Sequence, residues 1–159
     1  MSRDMTVLVD DCVINLRVGA IITRGDQVLM VRNSRDKYYY SVGGRIQIGE
    51  SSEQAVVREV SEELGVSMEI ERLGFVQENY FYGTLGDKTR RLIYEICFYY
   101  YMKVPPDFEL RHRDVSGDGS GEAIEWLPFD TQETIYPTFF KTELARPSDG
   151  IRHIISDER

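Results

Sequence analysis

Four charged residues within one and a half turns of a predicted helix carry the strongest chemical signal in the sequence: Arg58, Glu59, Glu62 and Glu63. Residues three and four apart on a helix are neighbours, so Glu59 faces both Glu62 and Glu63. Each such like-charge pair destabilises a helix by roughly 0.2–0.5 kcal/mol. Clustered carboxylate oxygens are the ligands that Mg²⁺ or Mn²⁺ uses in proteins. The spacing therefore indicates a divalent-metal site, with a solvated acidic helix face as the alternative.

The helix that carries these residues has clear start and stop signals. Ser51 followed by Gln54 is the spacing of a capping box, which predicts that the helix begins near Ser52. Gly65 stands where a helix most often ends in the left-handed conformation. Apolar residues recur on one face of this helix while the glutamates project from another, and the recurring residues are Val56, Val60 and Leu64.

A longer pattern surrounds the acidic cluster. From Gly44 to Val66 the chain reads GRIQIGESSEQAVVREVSEELGV, in which Glu50 stands between the glycine and the arginine. This segment resembles the Nudix box at every position of the motif. The order of strands and helices around the segment is also similar to that of a Nudix domain along nearly the whole chain.

The resemblance implies a fold and an activity. The fold would be α/β, an α/β/α sandwich with a mixed β-sheet. The activity would be Mg²⁺-dependent hydrolysis, with Mn²⁺ as a substitute, of the pyrophosphate linkage in a nucleoside diphosphate joined to another group. Substrates of this kind include nucleoside triphosphates, dinucleoside polyphosphates and nucleotide sugars. A non-catalytic Nudix module that binds or senses a metabolite is the alternative, and the complete box favours the enzyme.

The resemblance also implies roles for individual residues. Glu59, Glu62 and Glu63, with the Gly43 carbonyl, would bind the metal, and one of the three glutamates would act as general base. Arg58 and Glu50 would hold those ligands in place and complete the catalytic set.

A second acidic segment, residues 111–125, has two interpretations. Asp114, Ser116, Asp118, Gly119 and Glu125 match an EF-hand loop in part, but Gly121 occupies a position that should be apolar and Pro128 follows where a helix should continue. We therefore expect a loop over the active site. Glu122 or Glu125 would then supply an additional metal ligand, as an acid outside the box does in several Nudix enzymes.

Three residues are candidates for binding substrate. Arg32 and Arg45 are potential phosphate ligands, although solvent exposure is the default for a surface arginine. Tyr82 stands sixteen residues after Val66, a placement that resembles Nudix hydrolases acting on dinucleoside polyphosphates. Arg17, Arg35, Arg90 and Arg91 are weaker candidates of the same kind.

Composition limits the other classes of protein. A chain of 159 residues with 42% apolar content predicts a single domain over residues 1–159. A net charge of −8 argues against binding to nucleic acid or to an anionic membrane and is compatible with a small nucleotide substrate delivered with its metal. The absence of an apolar run of membrane-spanning length and of a signal peptide, together with two isolated cysteines, predicts a cytoplasmic protein. The oligomeric state stays open, with a homodimer among the alternatives.

Hydrophobic patterning predicts a set of strands around the box helix. We expect a second helix over Tyr136–Ala145, with Pro137 in its first turn. We expect residues 1–15 to form an N-terminal extension and residues 147–159 to form a flexible tail. The predicted strands are Leu16–Thr23, Gln27–Arg32, Tyr38–Val42, Met68–Tyr82, Arg91–Val104 and Ala123–Phe129.

Overall fold

The computed structural model describes residues 3–33, 35–110 and 122–159. The predicted loop of residues 111–121, and with it most of the partial EF-hand match, lies outside these ranges. The elements in chain order are β1 (Thr6–Val9), β2 (Cys12–Ile21), β3 (Thr23–Arg24), β4 (Gln27–Arg32), β5 (Tyr39–Arg45), α1 (Ser52–Leu64), β6 (Glu69–Leu85), β7 (Thr89–Lys103), β8 (Ala123–Pro128), β9 (Ile135–Tyr136), α2 (Phe140–Glu143) and β10 (Arg152–Asp157).

These strands form one mixed sheet, as the sequence predicts. Its main order is β10-β6-β7-β2-β5-β4-β3, while β1 pairs with β2, β8 with β4 and β9 with β5. The pairs β2–β7, β6–β10 and β5–β9 are parallel, and the others are antiparallel. The strand β5 enters the sheet beside β2 and delivers the chain directly to the loop before α1.

Alternation along the strands divides the core between the two faces of the sheet. Leu29 of β4 belongs to the cluster that includes Val56 and Val60 of α1, whereas its neighbour Met30 belongs to the cluster that includes Phe140 of α2. Because successive strand residues point to opposite faces, each helix covers one face. This arrangement confirms the predicted α/β/α sandwich.

The N-terminal segment runs along the loop that carries the start of the box. The backbone N–H of Met5 donates to Ile46, and the N–H of Ile48 donates to the carbonyl of Arg3, at 2.8 and 2.7 Å. Asp4 forms an isolated bridge with Gln47 in the same register. The extension therefore contributes both the edge strand β1 and a backbone support for the box loop, roles that the sequence left open.

The hairpin β6–β7 is longer than predicted. The predicted strand ends at Tyr82, but β6 continues through Leu85, and the chain turns at residues 86–88. Long-range pairing explains the difference, because Thr84 and Leu85 find partners in Arg90 and Thr89.

The C-terminal quarter differs most from the sequence prediction. The helix expected over Tyr136–Ala145 is limited to the four residues of α2, because Ile135 and Tyr136 pair with β5 as strand β9. Residues 152–157, expected within a flexible tail, form β10 and pair with residues 75–80 of β6. Among the described residues, we find no helix with the length and apolar character needed to cross a membrane.

Candidate metal-binding and hydrolytic site

Both ends of α1 have the caps that the sequence predicts. The Ser51 hydroxyl accepts from the Gln54 N–H at 3.1 Å, and the Gln54 side chain accepts from the Ser51 N–H at 2.9 Å. Gly65 ends the helix with φ of 69°. The Ser52 hydroxyl lies 2.6 Å from the Tyr100 hydroxyl of β7, so the first turn is also anchored to the sheet. These contacts set the position of the acidic face relative to β5.

Close approach between α1 and β5 explains the glycine at the start of the box. A Cβ atom built on Gly44 would collide with the carboxylate of Glu59. Glu59 consequently lies directly against the β5 backbone, and no larger residue fits at position 44 without moving it.

Arg58 is the centre of a hydrogen-bonded set that we call the arginine network, which comprises Arg58, Glu50, Glu59 and Glu62. Its guanidinium donates to both carboxylate oxygens of Glu50 at 2.6 and 3.0 Å, to Glu59 at 2.7 Å and to Glu62 at 3.3 Å. It also donates to the backbone carbonyl of Arg45 at 3.0 Å.

These contacts shift the pKa values of the network. The hydrogen bonds from Arg58 lower the pKa of the Glu50 carboxyl. Burial raises the pKa of Glu59, although Arg58 opposes that shift. The arginine network thus keeps Glu50 ionised and holds Glu59 in a fixed orientation.

Glu63 occupies a different environment on the same helix. Its Oε2 atom is buried without a hydrogen-bond partner among the described residues, and Glu63 forms no ion pair with them. Burial, followed by the charge of Glu59, raises the pKa of the Glu63 carboxyl to about 8, while the backbone N–H of Gly43 opposes the shift. A buried carboxyl with an unpaired oxygen is costly unless a further group satisfies it.

Glu122 brings a second carboxylate to this place. Tyr40 of β5 donates its hydroxyl to Glu122 at 3.0 Å, and the charge of Glu122 contributes to the raised pKa of Glu63. Burial and Glu122 together raise the pKa of the Tyr40 hydroxyl. We call Glu63 and the half-buried Glu122 the acidic pair. Sequence reasoning missed Tyr40, because one tyrosine among ten carries no distinguishing signal.

The carboxylates do not form a preassembled metal cage in this structure. Across residues 3–33, 35–110 and 122–159, no group of three or more acidic, histidine or cysteine side chains is arranged to hold a metal ion. Arg58 turns Glu59 and Glu62 toward itself, which explains the arrangement. The donor set nevertheless fits a hard divalent cation, because the unpartnered carboxylate oxygen of Glu63 lies near the charges of Glu59 and Glu122.

An ion-pair cluster extends from the carboxylates along the sheet. Arg17 of β2 lies 3.7 Å from Glu95 of β7 and is the register partner of Arg45 in β5. Burial alone would lower the pKa of Arg17, but the charge of Glu95 raises it. The sequence analysis missed Glu95. Its position as the single acidic residue of the strand segment LIYEICFYYYM could have indicated a role. Arg45 itself lies 3.8 Å from Asp4.

The other two predicted substrate residues take part in contacts between an arginine and a tyrosine ring. The Arg32 guanidinium lies 5.8 Å from the ring centre of Tyr39. Tyr82 is 47% exposed in the distal part of β6, where the Arg90 guanidinium lies 4.6 Å from its ring centre. No contact among the described residues joins either side chain to the arginine network.

Comparison with known proteins agrees with this geometry. The family model described as NUDIX domain matches residues 14–141. The NAD-capped RNA hydrolase NudC of Pseudomonas aeruginosa is 48% identical over 50 residues, which is 30% of this chain and 18% of that protein. The 8-oxo-dGTP diphosphatase of Escherichia coli is 34% identical over 58 residues, which is 34% of this chain and 45% of that protein. The chain therefore aligns with less than half the length of either relative.

The fold comparison is broader. An ADP-ribose pyrophosphatase from Streptococcus suis superposes with a TM-score of 0.58 at 18% identity, over 89% of this chain and 98% of that one. At this level of identity the likeness concerns the fold. Because the family model spans most of the sequence, including the complete box, the chain belongs to the NUDIX domain family.

Proposed function

We propose that this protein is a divalent-metal-dependent hydrolase that cleaves the phosphoanhydride bond of a nucleoside diphosphate linked to another group. The observation that carries this proposal is Glu63, a buried carboxylate on the box helix with an unpartnered oxygen and a neighbouring acid in Glu122. A carboxylate oxygen that the fold leaves without a partner, beside other acidic side chains, is suited to bind a cation together with a phosphorylated ligand.

The residues that would hold the ion are Glu59, Glu62 and Glu63, with Glu122 and the Gly43 carbonyl completing the set. When bound, Mg²⁺ or Mn²⁺ neutralises the phosphates and makes a coordinated water a better nucleophile at neutral pH. Arg58 holds Glu59 by its Nη1 donor and Glu50 by two further donors, so these carboxylates stay oriented when substrate arrives.

In the proposed reaction, water attacks phosphorus, the bridging oxygen leaves, and two phosphorylated products result. The proton of the water passes to one of Glu59, Glu62 or Glu63, each of which is a chemically competent acceptor. Arg17 is within electrostatic reach of Glu59 and Glu63, so its charge is available to the phosphate groups of the substrate.

The names of the relatives bear on the proposed substrate class. An enzyme named for NAD-capped RNA and one named for 8-oxo-dGTP both act on phosphoanhydrides of nucleosides, which supports a nucleoside diphosphate derivative as the common substrate type. A small nucleotide is also consistent with the net charge of −8, which disfavours extended contact with a nucleic acid backbone.

The test is a coupled phosphate-release assay on nucleoside triphosphates, nucleotide sugars, ADP-ribose and diadenosine polyphosphates, with Mg²⁺ or with a chelator. We expect Mg²⁺-dependent cleavage of one class, and a decrease in turnover of about 10²-fold or more in Glu63→Gln or Glu62→Gln. Glu53→Gln is the matched control, since Glu53 is an exposed glutamate in the first turn of the same helix.

Two results would contradict the proposal. Wild-type rates in both Glu62→Gln and Glu63→Gln would remove the acidic cluster from the mechanism. Metal-dependent nucleotide binding without turnover of any substrate would instead identify a sensor module.

A further inference from the structure

An open cavity of about 350 Å³ lies next to the arginine network, between the N-terminal segment and the tip of the β6–β7 hairpin. Its lining residues are Asp4, Thr6, Arg45, Leu85 and Gly86. Three separate parts of the chain therefore meet here, and two of them, the N-terminal segment and the hairpin tip, lie outside the Nudix box.

Arg45 joins this cavity to the carboxylate site. Its backbone carbonyl accepts a hydrogen bond from Arg58 at 3.0 Å, while its side chain lines the cavity. One residue of β5 thus contacts the arginine network with its main chain and the cavity with its side chain. A ligand that extended from the carboxylates past Arg45 would enter the cavity.

The polar groups of the cavity distinguish between two kinds of ligand. Arg45 offers a donor, since its side chain lines the cavity and is 35% exposed. Asp4 offers an acceptor, and its carboxylate lies 3.8 Å from the Arg45 guanidinium. Glu95 adds a second negative charge near Arg45. A further phosphate would be repelled by both carboxylates, whereas a neutral group with a donor and an acceptor side by side would match the pair.

Resting on the function proposed above, we propose that this cavity is the nucleobase subsite. The base edge would pair with Asp4 and Arg45 together, and Leu85 would provide an apolar wall. A nucleobase is the neutral part of a nucleoside diphosphate derivative that presents adjacent donors and acceptors. The cavity also falls within the size range of small-ligand sites. The N-terminal segment then belongs to the specificity machinery.

The experiment compares substrates that differ only in the base, together with a ribosyl diphosphate substrate that has no base. We expect the wild type to prefer one base. We expect Asp4→Asn to lower kcat/KM for that substrate by tenfold or more, chiefly through KM, and to change the rate on the base-free substrate by less than twofold. We expect Arg45→Gln to lower kcat/KM more on the base-containing substrate than on the base-free one. Glu69→Gln and Lys103→Gln are matched controls, because they remove the same charges from an exposed ion pair elsewhere on the hairpin.

Leu85→Phe provides an independent variant, since it narrows the cavity without altering either polar group. We expect it to weaken the larger purine substrates more than the pyrimidine ones. Thermal unfolding of each variant checks that the fold is intact. Equal losses of kcat/KM on base-containing and base-free substrates in Arg45→Gln would show that Arg45 acts on phosphate, which would overturn the proposal. A base preference that is unchanged in all three variants would also overturn it.

A binding measurement separates this inference from the proposed hydrolysis. Calorimetric titration with the four nucleoside monophosphates needs no turnover. An affinity that depends on the base and is lost in Asp4→Asn would support the cavity as the nucleobase subsite. If the wild type then hydrolysed no substrate, only the proposed hydrolase activity would be rejected. Base-independent affinity in a protein that hydrolyses its substrate would reject the cavity alone.

Discussion

The arginine network surrounds Arg58, whereas the acidic pair brings Glu63 of α1 beside Glu122, which directly precedes β8. The two groups differ in how their negative charge is compensated. Glu50 and Glu59 receive short hydrogen bonds from Arg58. Glu63 receives no such partner among the described residues and keeps one oxygen unsatisfied. The carboxylates of the first group share one cation within the protein, and Glu63 has none among the described residues.

This difference separates two kinds of carboxylate in the proposed site. A carboxylate that is already paired with Arg58 is held in one orientation, because part of its hydrogen-bonding capacity is used inside the fold. A buried carboxylate without a partner costs folding free energy until a ligand offsets it. Measurements on the metal-free protein therefore distinguish the two groups more directly than activity does.

The largest expected effect is on the pH dependence of stability in the metal-free protein. The pKa of Glu63 is about 8 in the fold against an ordinary 4.5, so the unfolded chain loses this proton first. The stability contributed by the protonated Glu63 carboxyl is therefore fully present below pH 4.5 and is lost as the pH rises toward 8. Since each pKa unit corresponds to about 1.4 kcal/mol, we expect a loss of a few kcal/mol, measured by urea unfolding between pH 5 and pH 8.5.

Glu63→Gln should remove most of this pH dependence, whereas Glu53→Gln should leave it unchanged. Mg²⁺ at pH 8 should stabilise the wild type by mass action and stabilise Glu63→Gln much less. A free energy of unfolding that does not change with pH in the wild type would show that Glu63 has its partners within the fold.

The second effect is the loss of the shared cation in Arg58→Gln. Glu50 and Glu59 would lose their charge-assisted hydrogen bonds, which typically contribute about 1.5–3 kcal/mol each before solvent screening. Because these side chains are partly exposed, we expect a total decrease of about 2 kcal/mol in the free energy of unfolding. Hydrolysis should fall by about 10- to 100-fold, the range found when groups that orient metal ligands are removed.

Arg152→Gln is the control for this prediction. Arg152 forms an ion pair of 2.6 Å with Glu143 at the protein surface, remote from α1. A surface pair of this kind contributes about 0–1 kcal/mol. Equal destabilisation by the two substitutions would mean that the arginine network has no special structural role.

The sequence predicted the arginine network better than its surroundings for a physical reason. The caps and ion pairs of α1 join residues that are at most eight positions apart, so their geometry follows largely from the local helix. The strand β10 pairs with β6 across about 77 residues, and Arg17 meets Glu95 across two strands. Such contacts depend on strand order and register, which local patterning does not specify. The same limit explains why the sequence predicts a helix over Tyr136–Ala145, which is longer than the observed α2.

The smallest expected effect concerns the hydroxyl that positions Glu122. Tyr40→Phe removes the hydrogen bond of 3.0 Å to Glu122 and leaves the ring in place. We expect a decrease of about 1 kcal/mol in the free energy of unfolding, the usual contribution of one hydrogen bond. We also expect weaker Mg²⁺ binding, because Glu122 would no longer be held beside Glu63. Tyr136→Phe, at an exposed tyrosine, is the control for both measurements. Unchanged Mg²⁺ affinity in Tyr40→Phe would show that Glu122 only repels Glu63 and does not bind the metal. The proposed metal site would then consist of box residues alone.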